Sequence, residues 1–88
     1  MTYDKFWMSL HRLGYVVKWE PDYVLVKKNG ELLATIDRWA EYSYELHGCK
    51  TECLNDNAFM LITSLASTPV DKRWDVFKWE IVNDKRTA

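Results

Sequence analysis

The sequence predicts an α+β fold, one domain in which two helices pack on an antiparallel sheet. Apolar residues recur at helical spacing near the start of the chain and again between positions 58 and 66. Between these two stretches, β-branched and aromatic runs alternate and are divided by Asn29-Gly30, a pair that favours a two-residue hairpin turn. The length of 88 residues suits one core. Five Trp, five Tyr and three Phe set against three Gly and two Pro exclude a disordered tail or a low-complexity linker, which lack the large apolar side chains needed to offset ordering entropy.

Tyr3, Phe6, Trp7, Leu10 and Leu13 form the apolar stripe of a first helix, with Asp4, Lys5, Ser9 and Arg12 between them. Thr2 is placed to cap its N-terminus, Asp4 suits its first turn, and Gly14 supplies the left-handed residue that ends it. Residues 15–20 and 23–28 read as strands around Pro21-Asp22, and 31–37 as a third beyond Asn29-Gly30. Proline cannot take the positive φ of a type I′ turn, so the first connection is expected to be of type I. In the second, a type I′ turn sets Lys28 opposite Glu31. A regular ladder in that register puts Tyr23, Leu25, Leu32, Ala34 and Ile36 on one face and Val24, Val26, Leu33 and Thr35 on the other. Both faces then carry aliphatic side chains.

Residues 38–50, RWAEYSYELHGCK, follow neither period and read as a connection holding at most one irregular strand or helical turn. Asn55 or Asp56 caps a second helix whose stripe is Ala58, Phe59, Ile62, Leu65 and Ala66. Its almost uniformly apolar character predicts deep burial. Thr68-Pro69-Val70-Asp71 suggests one further turn, with proline at its first position. Residues 74–82 alternate as a last strand and 83–88 form a polar tail, giving the order α-β-β-β-α-β in a domain of residues 1–82.

A net charge of −1 gives no long-range field for capturing a polyanion, so nucleic acid is disfavoured as a partner. The one local bias is acidic: Asp37, Glu41, Glu45, Glu52 and Asp56 stand against Arg38 and Lys50, a net −3 over residues 37–56. No run of about 18 apolar residues predicts a membrane span. Residues 1–10 include Asp4 and Lys5 and lack the apolar core of a signal peptide, so a cytoplasmic location with free thiols is expected.

Chemistry-bearing residues are few. His47, Cys49 and Cys53 supply three of the four ligands a structural zinc site needs, and the sequence offers no clear fourth; two ordinary thiols and a loop histidine are the simpler reading. Cys49 beside His47 has the makings of a thiolate-imidazolium pair, but a small domain has little volume for a substrate pocket and oxyanion site, so no catalytic residue is assigned. No phosphate-binding glycine loop is present, and no cofactor is expected. Most aromatic residues find places on predicted helices and strands. Trp39, Tyr42 and Tyr44 do not; lying in the acidic segment with Glu41 and Glu45, they are the candidate partner-binding residues, for a protein partner or a second copy.

The α-β-β-β-α order resembles the topology of the double-stranded-RNA-binding domain. That family implies phosphate contacts from a lysine cluster at the start of its second helix, where this chain has Leu54, Asn55, Asp56, Asn57 and Ala58. A second resemblance is carried by residues 65–82, LASTPVDKRWDVFKWEIV, together with Leu13-Gly14-Tyr15, Val24 to Val26 and Leu33-Ala34. These look like the elements of small uncharacterised proteins of phages and prophages of Gram-positive bacteria: a Leu-Gly after the first helix, an alternating strand, an apolar-Ala strand, and a helix ending in an alanine-Ser/Thr-Thr-Pro segment. Phe77-Lys78-Trp79 stands where such proteins often carry a lysine-tyrosine-tyrosine run. The resemblance implies a mobile-element origin, a host-cytoplasm location and no assigned reaction. The functions expected are thus a non-enzymatic protein-binding or self-associating phage accessory module or, alternatively, a nucleic-acid-binding phage regulator.

Overall fold

A computed structural model describes residues 1–47 and 54–74. Helix α1 (Tyr3–Arg12) is followed by strands β1 (Val16–Trp19), β2 (Tyr23–Lys28), β3 (Glu31–Asp37) and β4 (Tyr44–Leu46), helix α2 (Asp56–Ser67) and a 3₁₀ turn, Val70–Lys72. The strands form one antiparallel sheet in the order β1-β2-β3-β4. The α+β class is as the sequence predicts. The order of described elements is α-β-β-β-β-α, because the aperiodic connection contains a fourth strand. The last predicted strand, from residue 75 onward, and the polar tail lie outside the described residues.

Local chemistry sets the ends of these elements. The Thr2 hydroxyl accepts the Lys5 N–H at 3.3 Å, and the Asn55 side chain accepts that of Ala58 at 2.8 Å. After α1, the Gly14 N–H donates to the His11 carbonyl and that of Tyr15 to Leu10, with Gly14 at φ 90°. This paired closure satisfies two orphan carbonyls and needs a left-handed residue between them. Asn29 and Gly30 adopt φ of 51° and 80°, the signature of the type I′ turn, and Lys28 pairs with Glu31 as expected. Neither Pro21 nor Asp22 has a positive φ, in keeping with the excluded type I′ geometry.

The predicted division of the sheet faces is corrected by a β-bulge. The register of β2 with β3 shifts between Val26 and Lys27, so that Val26 pairs with Ala34 and Val24 with Ile36. One extra residue on β3 reverses the alternation beyond it. Ala34 and Ile36 therefore join Val24 and Val26 on the inner face, Thr35 moves to the outer one, and Leu33 is buried at the bulge. Tyr23, Leu25 and Leu32 remain on the outer face. A sequence with aliphatic residues on both faces of a regular ladder thus gathers five of them on one side.

Both helices cover that inner side. Tyr3, Phe6 and Leu10 of α1 and Ala58, Ile62, Leu65 and Ala66 of α2 pack in one core with Tyr15, Val17, Val24, Val26, Leu33, Ala34 and Ile36. Three members of the predicted helix stripes are outside it: Leu13 packs against the core while only partly buried, and Trp7 and Phe59 are 41% and 40% exposed. The two aromatic positions fall on the shoulders of the buried arcs, where a ring can rest one edge on the protein and leave the other in water. Trp7 uses that position to stack on His11, with ring centroids 5.2 Å apart. Deep burial of all of α2 is likewise not observed, since Met60 is also exposed.

Candidate functional site

The six residues between β3 and β4 present Trp39, Glu41 and Tyr42, three of the five side chains singled out from sequence, with Tyr44 and Glu45 following on β4; the six are held from three directions. The Arg38 N–H donates to the Asp22 carbonyl at 3.0 Å, joining the loop to the β1–β2 turn. The Tyr42 N–H donates to Ala66 at 2.7 Å, joining it to the end of α2. Arg73, just beyond the 3₁₀ turn, supplies the third hold.

Arg73 is fully buried. Its Nε donates to the Thr68 carbonyl at 3.0 Å, Nη1 to Asp37 at 2.7 Å, and Nη2 to Ala40 at 3.1 Å and Ala66 at 3.2 Å. The fixed fork of guanidinium donors can meet several carbonyls at once, and a cation is favoured at a helix C-terminus, where Ala66 and Thr68 lie. The carbonyl of Arg73 in turn accepts the Tyr3 N–H at 2.6 Å, which ties the start of α1 to the same point. Sequence reading missed this residue, because nothing in a polar Asp-Lys-Arg turn marks one cation for burial.

Arg38 occupies a second nest. Its guanidinium carbon lies 5.4 Å from the Tyr3 ring centroid, 5.3 Å from that of Trp74 and 6.0 Å from that of Trp39, within the range of cation–π attraction. Nη1 donates to the Glu20 carbonyl at 2.7 Å. Buried Nε of Arg38 and the buried Tyr3 hydroxyl have no hydrogen-bond partner among the described residues. Trp39 closes the nest: its indole N–H lies 3.1 Å from both the Pro21 carbonyl and Asp22 Oδ1, and its backbone N–H donates to Asp37 Oδ1 at 2.8 Å. The loop is therefore a built surface. Tyr42, at its tip, has φ 59° and is 72% exposed, an uncommon conformation for a bulky residue.

The five candidate partner-binding residues fall into two groups. Tyr44 and Glu45 line a shallow cleft of about 230 Å³ with Tyr23, Thr35, Asp37 and Ser43. Trp39, Glu41 and Tyr42 lie on the adjoining loop. Tyr23, Thr35, Asp37 and Ser43 were not singled out from sequence; their convergence depends on the bulge and on β4 pairing. His47, the described member of the suggested zinc set, has its Nε2 2.7 Å from Thr35 Oγ1. Cys49 and Cys53 lie outside the described residues, and among the described residues no group of three potential ligands comes together.

No helix of the described residues is long and apolar enough to cross a membrane. No protein-family model, curated protein or solved structure matches the chain.

Proposed function

We propose that this chain is a non-enzymatic protein-binding module, an accessory protein of a phage or prophage that acts in the host cytoplasm. One observation carries the reading: both helices lie on the same side of the sheet, and among the described residues no element covers the other side. That outer face presents Val16 and Tyr23, 59% and 47% exposed, and the half-buried Leu25 and Leu32, interleaved with Lys18, Lys27, Thr35 and Glu45. It adjoins the loop of Trp39, Glu41 and Tyr42. Exposed aliphatic and tyrosine side chains set among charged ones suit recognition of another protein surface, and tyrosine and tryptophan supply contact area at low conformational cost. A shallow cleft of hydroxyls and carboxylates suits recognition of a protein surface better than enclosure of a small substrate.

The test is capture from a Gram-positive bacterial lysate by the immobilised full chain. A specific partner is expected to be lost with Leu25→Asp or with Tyr42→Ser, and kept with Met60→Ser on the far side of the molecule. Equal capture by all four chains, or none by any together with a strictly monomeric chain, overturns the reading. Nucleic-acid binding is the alternative, supported by two helices sharing one sheet face. The start of α2 opposes it, offering Asp56 between two asparagines and no lysine or arginine. Absence of an electrophoretic shift at about 50 mM salt disposes of that alternative.

A further inference from the structure

The pairing registers place four outer-face residues in one row across the sheet. Lys18 of β1 is opposite Leu25 of β2, Leu25 is opposite Thr35 of β3, and Thr35 is opposite Glu45 of β4. All four point away from the helices, because their neighbours Val17, Val24, Val26, Ala34 and Ile36 point into the core. The row begins with a cation and ends with an anion. In the adjacent row Tyr23 of β2 is opposite Asp37 of β3, so a phenol stands beside a carboxylate.

Such a row is self-complementary under one symmetry operation. A two-fold axis parallel to the strands, running between β2 and β3 in the plane between two stacked sheets, turns the row end for end. Lys18 of one copy then lies over Glu45 of the other, Leu25 over Thr35, and Tyr23 over Asp37, while Lys27 lies over Leu32, where its aliphatic stem can cover the leucine and its ammonium reach solvent at the rim. The alternative axis, perpendicular to the strands, sets Lys18 over Lys18 and Glu45 over Glu45, which like-charge repulsion disfavours. Stacked sheets pack about 10 Å apart with strand directions within about 30° of each other. The resulting offset at the outer strands is a few ångströms, within reach of a lysine side chain. The cleft beside Glu45 is open to receive it. Lys18 lies 3.6 Å from Glu20 within its own chain, an exposed pairing that holds it only weakly.

We infer that the outer sheet face is the interface of a two-fold homodimer, in which the Lys18 ammonium of each copy enters the Asp37/Glu45 side of the other. The inference rests on the protein-binding reading and names the partner as a second copy of this chain. Closure is isologous, since each copy uses the same patch. The face is four strands wide, six or seven residues long at β2 and β3 and three or four at its edges, so it covers at most about 400 Å² per copy; this is smaller than a stable interface, and association is weak and concentration-dependent.

Sedimentation equilibrium of the full chain, from micromolar to near-millimolar concentration and at two ionic strengths, tests this. A monomer–dimer equilibrium is expected, weakened by salt. Lys18→Glu and Glu45→Lys each turn both inter-copy pairs into repulsions and should raise the dissociation constant by about tenfold or more. The double exchange, Lys18→Glu with Glu45→Lys, should return it to within about threefold of the parent. Both positions are exposed, and circular dichroism of each variant confirms that it folds. A chain that stays monomeric throughout, or a dimer that the single exchanges do not weaken, overturns the inference. Monomeric behaviour with lysate capture that is still lost in Leu25→Asp overturns the dimer alone and leaves the protein-binding reading standing.

Discussion

The β2–β3 and β3–β4 connections join neighbouring strands of the same sheet by opposite means. The first is two residues long and carries its own instructions: Asn29 and Gly30 take the positive φ values their types tolerate, and the strands pair outward from them. The second is six residues long, with the bulky Tyr42 in the left-handed region. Its conformation is imposed by Asp22, Ala66 and Arg73, all distant in sequence. A turn made by local chemistry is a scaffold part. A turn made by tertiary restraint can carry side chains chosen for something other than turn formation, and this one carries Trp39, Glu41 and Tyr42.

The largest expected effect breaks the second connection. Arg73→Met keeps most of the buried volume but leaves the Asp37, Ala40 and Thr68 carbonyls without that donor, so a loss of about 3 kcal/mol or more is expected in urea unfolding. Hydrogen exchange should speed up most at the amides of Asp37, Tyr42 and His47, while the β1–β2 ladder stays protected. Uniform acceleration across the sheet would show that the loop is not a separate unit. Gly30→Ala attacks the first connection. Open space surrounds the new methyl, so the expected cost of about 1 to 2 kcal/mol is that of the left-handed conformation alone. Trp39→Phe removes the exposed indole N–H contacts with Pro21 and Asp22, for about 0.5 to 1 kcal/mol. The smallest stability change is expected for Tyr42→Gly, where relief of the left-handed penalty offsets added chain entropy to within about 0.5 kcal/mol. Binding to a captured partner should nonetheless fall, which separates the ring's role from that of the backbone.

The same contrast explains what the sequence made legible. Helix α1 with its Thr2 and Gly14 ends, the Asn29-Gly30 turn, the Lys28–Glu31 pairing and the Asn55 cap are decided within a few residues, and each follows from pattern. The bulge does not. Leu32, Leu33 and Ala34 are all apolar, so no polar residue marks which one is extra, and the face assignment beyond it comes out reversed. Strand β4 has only three residues, too few to show a period, and its place beside β3 depends on the loop that Arg73 holds. Trp39, Tyr42 and Tyr44 were conspicuous as aromatics without a predicted element. The cleft neighbours of Tyr44 were not, because Tyr23, Thr35 and Asp37 come together on one side of the sheet only through the shifted register.

Arg73 also bears on the order in which the molecule assembles. Its bonds to Asp37 and Ala40 span 36 and 33 positions of the chain, whereas the β2–β3 hairpin closes over two. Loop-closure entropy favours the hairpin as an early event and the guanidinium clasp as a late one. Substitution at Arg73 should then leave the refolding rate nearly unchanged and appear almost wholly as faster unfolding. The residue that shapes the exposed loop would thus govern how long the native molecule persists.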